Sequence, residues 1–230
     1  MDSSKRIVTL VADPFPPYQY MKGSQITGLD YEIIKEAFKT QDREIAVALL
    51  PWSECLERMG QRRADGIFQI TKSPDREEHS LFSDLLRTAK TVFYCSADKP
   101  MLLRENEDLI DQLRGANVGV VSGYSYGPES DNLQGIQRAP VENHEELLQR
   151  LAARKFDLAI MDQGVGVYAA SKMHLEDKVQ RLHGFEIERP LFVAFQKDGD
   201  EVKKTFNRGL ERIRETGIYD GLFSKYGLKD

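Results

Sequence analysis

An alternation of short apolar runs with helix-spaced segments, filling the first seventy or so residues, most constrains what this chain can fold into. Ile7 to Val11 reads as a buried strand. From Gly28 to Thr40, Leu29, Ile33, Ile34, Ala37 and Phe38 recur at helical spacing, with Asp30 near the start. Ile45 to Leu50 is the next strand, ended by Pro51; Trp52-Ser53 opens a second amphipathic helix with Leu56 and Met59 inward; Ala64 to Ile70 returns as a strand. Strand, helix, strand, helix, strand at this spacing predicts an open α/β unit with a parallel sheet and right-handed crossovers. Ligands of such sheets bind outside the carboxyl ends of the strands. Three segments fall at that edge: the Asp13–Tyr18 loop, Trp52, and the turn from Thr71 to Arg76.

The elements recur further on. Thr88 to Ser96 has strong β character, Glu107 to Arg114 reads as a helix closed by Gly115, and Asn117 to Val121 as a strand leading into the turn SGYSYG. A helical stretch near Ser130, a helix from Glu142 to Arg154 and a strand from Asp157 to Met161 follow. Gly164 to Ala170 reads as helical, Arg189 to Gln196 as extended, and Glu201–Arg214 and Tyr219–Tyr226 as closing helices. At 230 residues there is room for two lobes of ordinary size. The expected division is 1–92 with 191–230 as one lobe and 93–190 as the other. No Gly/Ser-rich linker is present, so two extended strands are expected to form the hinge, with the last helices packing back on the first lobe.

Composition excludes some partners. A formal net charge of −5 with interspersed signs argues against nucleic-acid binding, which calls for a basic stripe or patch. No run has the length of a transmembrane helix, and the start enters a strand without a signal peptide's apolar core, so the expectation is a mature chain, its signal peptide removed, carrying an added Met1. Cys55 and Cys95 make no disulfide framework and lack metal-ligand spacing; one bridge and two buried thiols are both open readings. The four histidines sit among charged residues and read as solvated. Neither a metal nor a cofactor is expected.

Two stretches present candidate binding groups. The three prolines in Asp13-Pro14-Phe15-Pro16-Pro17-Tyr18 forbid helix and regular sheet, giving a rigid loop that presents Phe15, Tyr18 and Tyr20. Just past the strand ending at Ile70 stands Arg76, whose planar fork suits a carboxylate. The plainer reading of Arg76 is a surface arginine paired with Asp75 or Glu77.

In order, PPY, GLD opening a helix, PW, ADGI, TKSPDR, LFSD, LRGANVGVVSG and FDLAIMD resemble the periplasmic solute-binding proteins of polar amino-acid ABC importers, from about Ile7 to Tyr226. The resemblance implies the two-lobed type II periplasmic binding protein fold, an open α/β sheet in each lobe. It further implies that Arg76 clamps a ligand's α-carboxylate with Thr71 beside it, that Ser125 helps from the second lobe, and that Asp162 accepts the α-ammonium. Phe15 and Trp52 match the aromatic walls, and backbone groups near Gln69 complete the ammonium shell. Asp162 also reads as a helix cap, Trp52 as core, and Tyr124 or Tyr126 as facing the cleft in place of Ser125. The chain departs from relatives that bind basic amino acids: Ala12 stands where they carry an acid, with Asp13 beside it, and Gln69 and Tyr124 replace small hydroxyl residues.

The expected function is therefore closure on a small zwitterion, an L-amino acid or a related carboxylate, for delivery to an ABC permease of the inner membrane, by a periplasmic monomer. A sensory ligand-binding module is the alternative, followed by a cleft enzyme such as a dehydratase on the same fold. The chain has no paired carboxylates at the expected site to do acid–base chemistry.

Overall fold

The computed structural model describes residues 7–104, 107–122, 124, 126, 130 and 132–228. The chain forms two compact units, one made of the chain up to Thr88 and from Pro190 onward, the other of Ala89–Arg189.

The first unit opens with β1 (Val8–Ala12), a small hairpin of β2 (Tyr20–Lys22) and β3 (Gln25–Thr27), α1 (Leu29–Lys39), β4 (Ile45–Leu49), α2 (Trp52–Gly60), β5 (Gly66–Ile70), α3 (Pro74–His79) and β6 (Ser80–Phe82). β1 lies between β4 and β5 and is parallel to both, with Val8 opposite Ile45 and Leu10 opposite Gly66. α1 forms because its apolar stripe Leu29, Ile33, Ile34, Ala37 and Phe38 has nowhere to go but the core, where all five are fully buried. Gly28 precedes it at φ 124, and a Cβ there would meet the Tyr18 carbonyl oxygen at 2.3 Å, so only glycine fits the helix entry. The expected inward face of α2 is corrected. Leu56 points outward, 44% exposed, and Cys55 is the buried residue of α2. The β2–β3 hairpin was not anticipated, its three-residue strands being too short to show a period.

The chain crosses between units inside β7 (Arg87–Ser96). The second unit then adds α4 (Leu109–Leu113), β8 (Asn117–Val121), β9 (Gln137–Val141), α5 (His144–Ala152), β10 (Leu158–Asp162) and α6 (Gln163–Lys172). Its strand order is β7-β10-β8-β9, with β10 antiparallel to β7 and parallel to β8. The expected helical stretch near Ser130 falls largely outside the described residues. α6 is rich in small residues because Tyr94 of β7 lies against it: a Cβ on Gly166 would meet the Tyr94 ring at 2.4 Å. Cys55 and Cys95 are free and buried, each in the core of its own unit.

The chain returns through β11 (Val179–Gln196), much longer than the expected run from Arg189 because Val179, Leu182 and Ile187 are also buried. Its last part is antiparallel to β5 and β6. α7 (Asp200–Glu215) and α8 (Ile218–Lys225) close the first unit, Phe206 packing 5.4 Å from Phe38, ring centre to ring centre. α8 is tied to α1 through Tyr226, whose hydroxyl accepts from Gly28 N at 2.9 Å and donates to Glu32 at 2.7 Å.

One buried ion pair holds the first unit's elements together. Arg87, at the start of β7, donates from Nε and Nη2 to the two oxygens of Asp30 at the start of α1, the second bond at 3.0 Å, with side-chain exposures of 2% and 0%. Tyr18 of the proline loop lies with its ring centre 3.6 Å from the guanidinium. This corrects the expectation that the loop presents Tyr18: that ring is 3% exposed and belongs to the core. Replacing Arg87 by Met, or Asp30 by Asn, leaves a buried group without its charge partner and is expected to lower unfolding free energy by about 3–5 kcal/mol. Urea denaturation checks this, and replacing both residues by apolar ones should cost less than either single change.

Candidate functional site

In both units the candidate residues stand at the carboxyl ends of parallel strands. In the first unit these ends are Ala12 and Ile70, and the chemistry is concentrated just beyond Ile70.

Ser73 and Pro74 start α3 there. Ser73 is the N-cap, its hydroxyl accepting from Arg76 N at 3.4 Å, and Pro74 occupies the first turn, where its missing N–H costs nothing. The expected turn from Thr71 to Arg76 is thus the start of a short helix, for which Ser-Pro is a start signal. On α3 Pro74, Asp75, Glu77, Glu78 and His79 are exposed, while Arg76 is half-buried. Arg76 Nη1 donates to both the carbonyl and the hydroxyl oxygen of Thr71, each at 2.9 Å. Among the described residues Arg76 makes no ion pair, so the surface pairing with Asp75 or Glu77 is not formed. Its Nε and Nη2, the remaining edge of the fork, make no bond to a described residue.

Gln69 is the irregular point of β5. The register against β11 shifts there, with Phe192 opposite Ile70 and Val193 opposite Phe68, so Gln69 is the extra residue of a bulge. Its φ of 60° is a left-handed conformation disfavoured for a side chain of this size. The Gln69 side-chain oxygen accepts from Gln19 Nε2, which also donates to the Asp13 carbonyl at 3.0 Å. The strand end is thus bonded to the proline loop. Beside it, burial pushes the Asp13 carboxyl above its ordinary pKa, a backbone hydrogen bond partly opposing.

Phe15 is half-buried and stacked on Tyr18, ring centres 5.9 Å apart. Trp52 is half-buried against the cluster of Val11, Cys55, Ala64, Ile67 and Ile70. Both rings keep some exposed surface, and Trp52 also packs on the core.

In the second unit Asp162 ends β10 and is 5% exposed. It caps α6: Oδ1 accepts from Gly164 N at 2.9 Å and Val165 N at 3.2 Å. Oδ2 faces Arg189 Nη2 at 4.0 Å. Tyr124, past the end of β8, is 48% exposed and stands edge-on to His144, ring centres 5.1 Å apart. Tyr126 is 4% exposed, its hydroxyl accepting from Val121 N at 2.8 Å, so it is core and faces no cleft. Ser125 lies outside the described residues. His144 corrects the view that all four histidines are solvated: it is half-buried, and desolvation lowers its pKa from the ordinary 6.5, with Glu145 and Asp162 opposing. Nothing in its sequence neighbourhood signals this, since it follows Asn143 and precedes two glutamates. Among the described residues no three metal-ligating side chains converge, and no helix is long and apolar enough to cross a membrane.

The model of the family described as bacterial extracellular solute-binding proteins, family 3, matches residues 7–229. The arginine-binding extracellular protein ArtP of Bacillus subtilis (strain 168) is similar, 24% identical over 232 residues that cover 96% of this chain and 86% of that protein. The lysine/arginine/ornithine-binding periplasmic protein of Escherichia coli (strain K12) is 23% identical over 212 residues, covering 86% and 78%. Among solved structures, the second substrate-binding domain of Lactococcus lactis GlnP, in an open conformation, superimposes with a TM-score of 0.77 at 18% identity, covering 98% of this chain and 97% of that one. The fold is that of the type II periplasmic binding proteins.

His144 supplies a pH test of this description. Folded His144 holds its proton more weakly than the unfolded imidazole, so the unfolded chain binds more protons just below the ordinary value. Its contribution is fully present at neutral pH and is lost as pH falls from about 6.5 through the lower folded value. Thermal melts between pH 7.5 and 5 should show a falling midpoint whose slope is reduced in His144→Gln.

Proposed function

Since this chain belongs to the bacterial extracellular solute-binding proteins, family 3, we propose that it binds a small zwitterion, an L-α-amino acid, and delivers it to the permease of an ABC importer. One observation carries the reading: Arg76 is half-buried at the carboxyl end of β5, held at one nitrogen by Thr71, with the rest of its fork unbonded and no acid paired to it among the described residues. A guanidinium placed this way is prepared for a carboxylate, because its orientation is fixed before the ligand arrives and two parallel charge-assisted bonds remain to be made.

In this reading Arg76 takes the α-carboxylate and Thr71 contacts it from the same turn. Asp162, in the other unit, takes the α-ammonium through Oδ2, while Oδ1 stays with the helix. Phe15 and Trp52 flank the ligand's side chain, backbone groups at Gln69 add to the ammonium shell, and Ser125 and Tyr124 meet the ligand from the second unit. In this reading the protein acts in the periplasm as a monomer and binds without turnover; the two relatives are named as binding proteins, one extracellular and one periplasmic.

Thermal melts against the proteinogenic L-amino acids should show one class raising the midpoint by ligand linkage. Arg76→Ala should weaken that ligand by about two to four decades, the equivalent of roughly 3–5 kcal/mol for a buried charge left without its partner. Calorimetric titration measures the change, and the bound amino acid should be recovered intact after long incubation. If dicarboxylates without an amino group shift the midpoint while no zwitterion does, or if Arg76→Ala binds as well as the wild type, the amino-acid reading fails.

A further inference from the structure

The cations on β7 and β11 of the second unit are matched to acids. On β7 and β11 of the second unit stand Lys90, Arg181 and Arg189, and near them Glu186, Glu188 and Asp162. Lys90 lies 3.6 Å from both Glu186 and Glu188. Arg181 pairs with Glu186 and donates to the Gln163 side-chain oxygen at 3.1 Å. Arg189 has Asp162 as its only ion-pair partner among the described residues, at 4.0 Å. That separation is too long for a hydrogen bond, so the two charges attract without being bonded. Arg189 Nε is buried and makes no hydrogen bond to any described residue, while the side chain as a whole keeps 31% of its surface exposed. The guanidinium is thus desolvated in part, oriented toward the acid, and still has donors to give.

Resting on the reading that Asp162 receives the ligand's α-ammonium, we propose that Arg189 is a specificity-determining residue that selects amino acids carrying a second carboxylate. Among the described residues the ion-paired group is balanced, three cations against three acids, while Asp162 faces Arg189. When an ammonium takes Asp162, Arg189 alone loses its counter-charge. A neutral amino acid leaves that cation uncompensated, and a lysine- or arginine-like ligand adds a further positive charge to it. An acidic side chain restores the balance and occupies the donors that Arg189 has left over, in the planar geometry that guanidinium favours. Like charges brought together in a partly desolvated site are the effective means of rejecting the wrong ligand. The relatives named for basic amino acids share less than a quarter of their residues with this chain, which leaves ample room for a different side-chain preference.

The test is calorimetric titration of the full chain with L-glutamate, L-aspartate, L-glutamine, L-asparagine and L-arginine, in the wild type, Arg189→Gln and Arg189→Lys. The wild type should bind one of the acidic amino acids more tightly than its amide by about tenfold or more, with L-arginine weakest. Arg189→Gln should bring the acid-to-amide ratio close to one while still binding the amide, and Arg189→Lys should keep most of the preference. A purely structural role for Arg189 would alter melting and all affinities together and leave the ratio alone. Amino acids bound with the same acid-to-amide ratio in wild type and Arg189→Gln, or a wild type that prefers the amide or arginine, overturn the part given to Arg189 and leave the amino-acid reading standing. A wild type that binds none of the amino acids, these five or the wider panel, overturns both.

Discussion

The first unit depends on a charge that its core has no water to solvate. Arg87 sits where β7 leaves the unit, fully buried, and such a cation is tolerated only with an acid and further donors or π-faces around it. Asp30 supplies the acid and Tyr18 the face. Three distant segments are fixed by this requirement: the proline loop that carries Tyr18, the entry of α1 that carries Asp30, and the root of β7. The constraint extends to the end of β5, because Phe15 stacks on the Tyr18 ring and Gln19, next in the loop, holds Gln69. A buried ion pair is a poor source of net stability. Here it sets where the Phe15 ring and the end of β5 stand.

That dependence changes the meaning of the motifs. PPY and GLD are among the fragments that carry the family resemblance, and their tyrosine, glycine and aspartate are all buried structure. Gly28 exists because a side chain would strike the Tyr18 carbonyl. FSD is similar: Ser83 exchanges hydrogen bonds with Val193 of β11, and Asp84 N is bonded to Asn207. Of the recurring fragments, TKSPDR is the one whose arginine carries an unspent donor edge. Most of these fragment residues build the scaffold.

The fold was legible because its signals are periodic. Strand, helix, strand, helix, strand with short connections leaves few topologies, and the observed registers of β1 with β4 and β5 follow. What escaped was set by contacts between residues far apart in the chain. Leu56 fits an amphipathic pattern, but the sheet beneath receives Cys55. Tyr18 follows two prolines, as an exposed aromatic would, and is buried because Arg87, distant in sequence, needs it. His144 has polar neighbours in sequence and Tyr124 as a neighbour in space. The left-handed conformation of Gln69 has no sequence signal, since it arises from a bulge against β11.

Asp162 is where scaffold and chemistry meet. As a residue type at the end of a strand before a helix it reads as a cap and as a counter-charge, and its two oxygens stand differently, Oδ1 on the helix start and Oδ2 at 4.0 Å from Arg189. Oδ1 is spent on Gly164 and Val165, which fixes the plane of the carboxylate. Oδ2 is thereby aimed, without further cost, at whatever cation stands on the other side, and in the present structure that is Arg189. A cap whose second oxygen faced solvent would be worth little beyond helix stability. One whose second oxygen faces a partly buried guanidinium makes the charge of the next arrival matter, because any ammonium that engages Asp162 also decides what happens to Arg189.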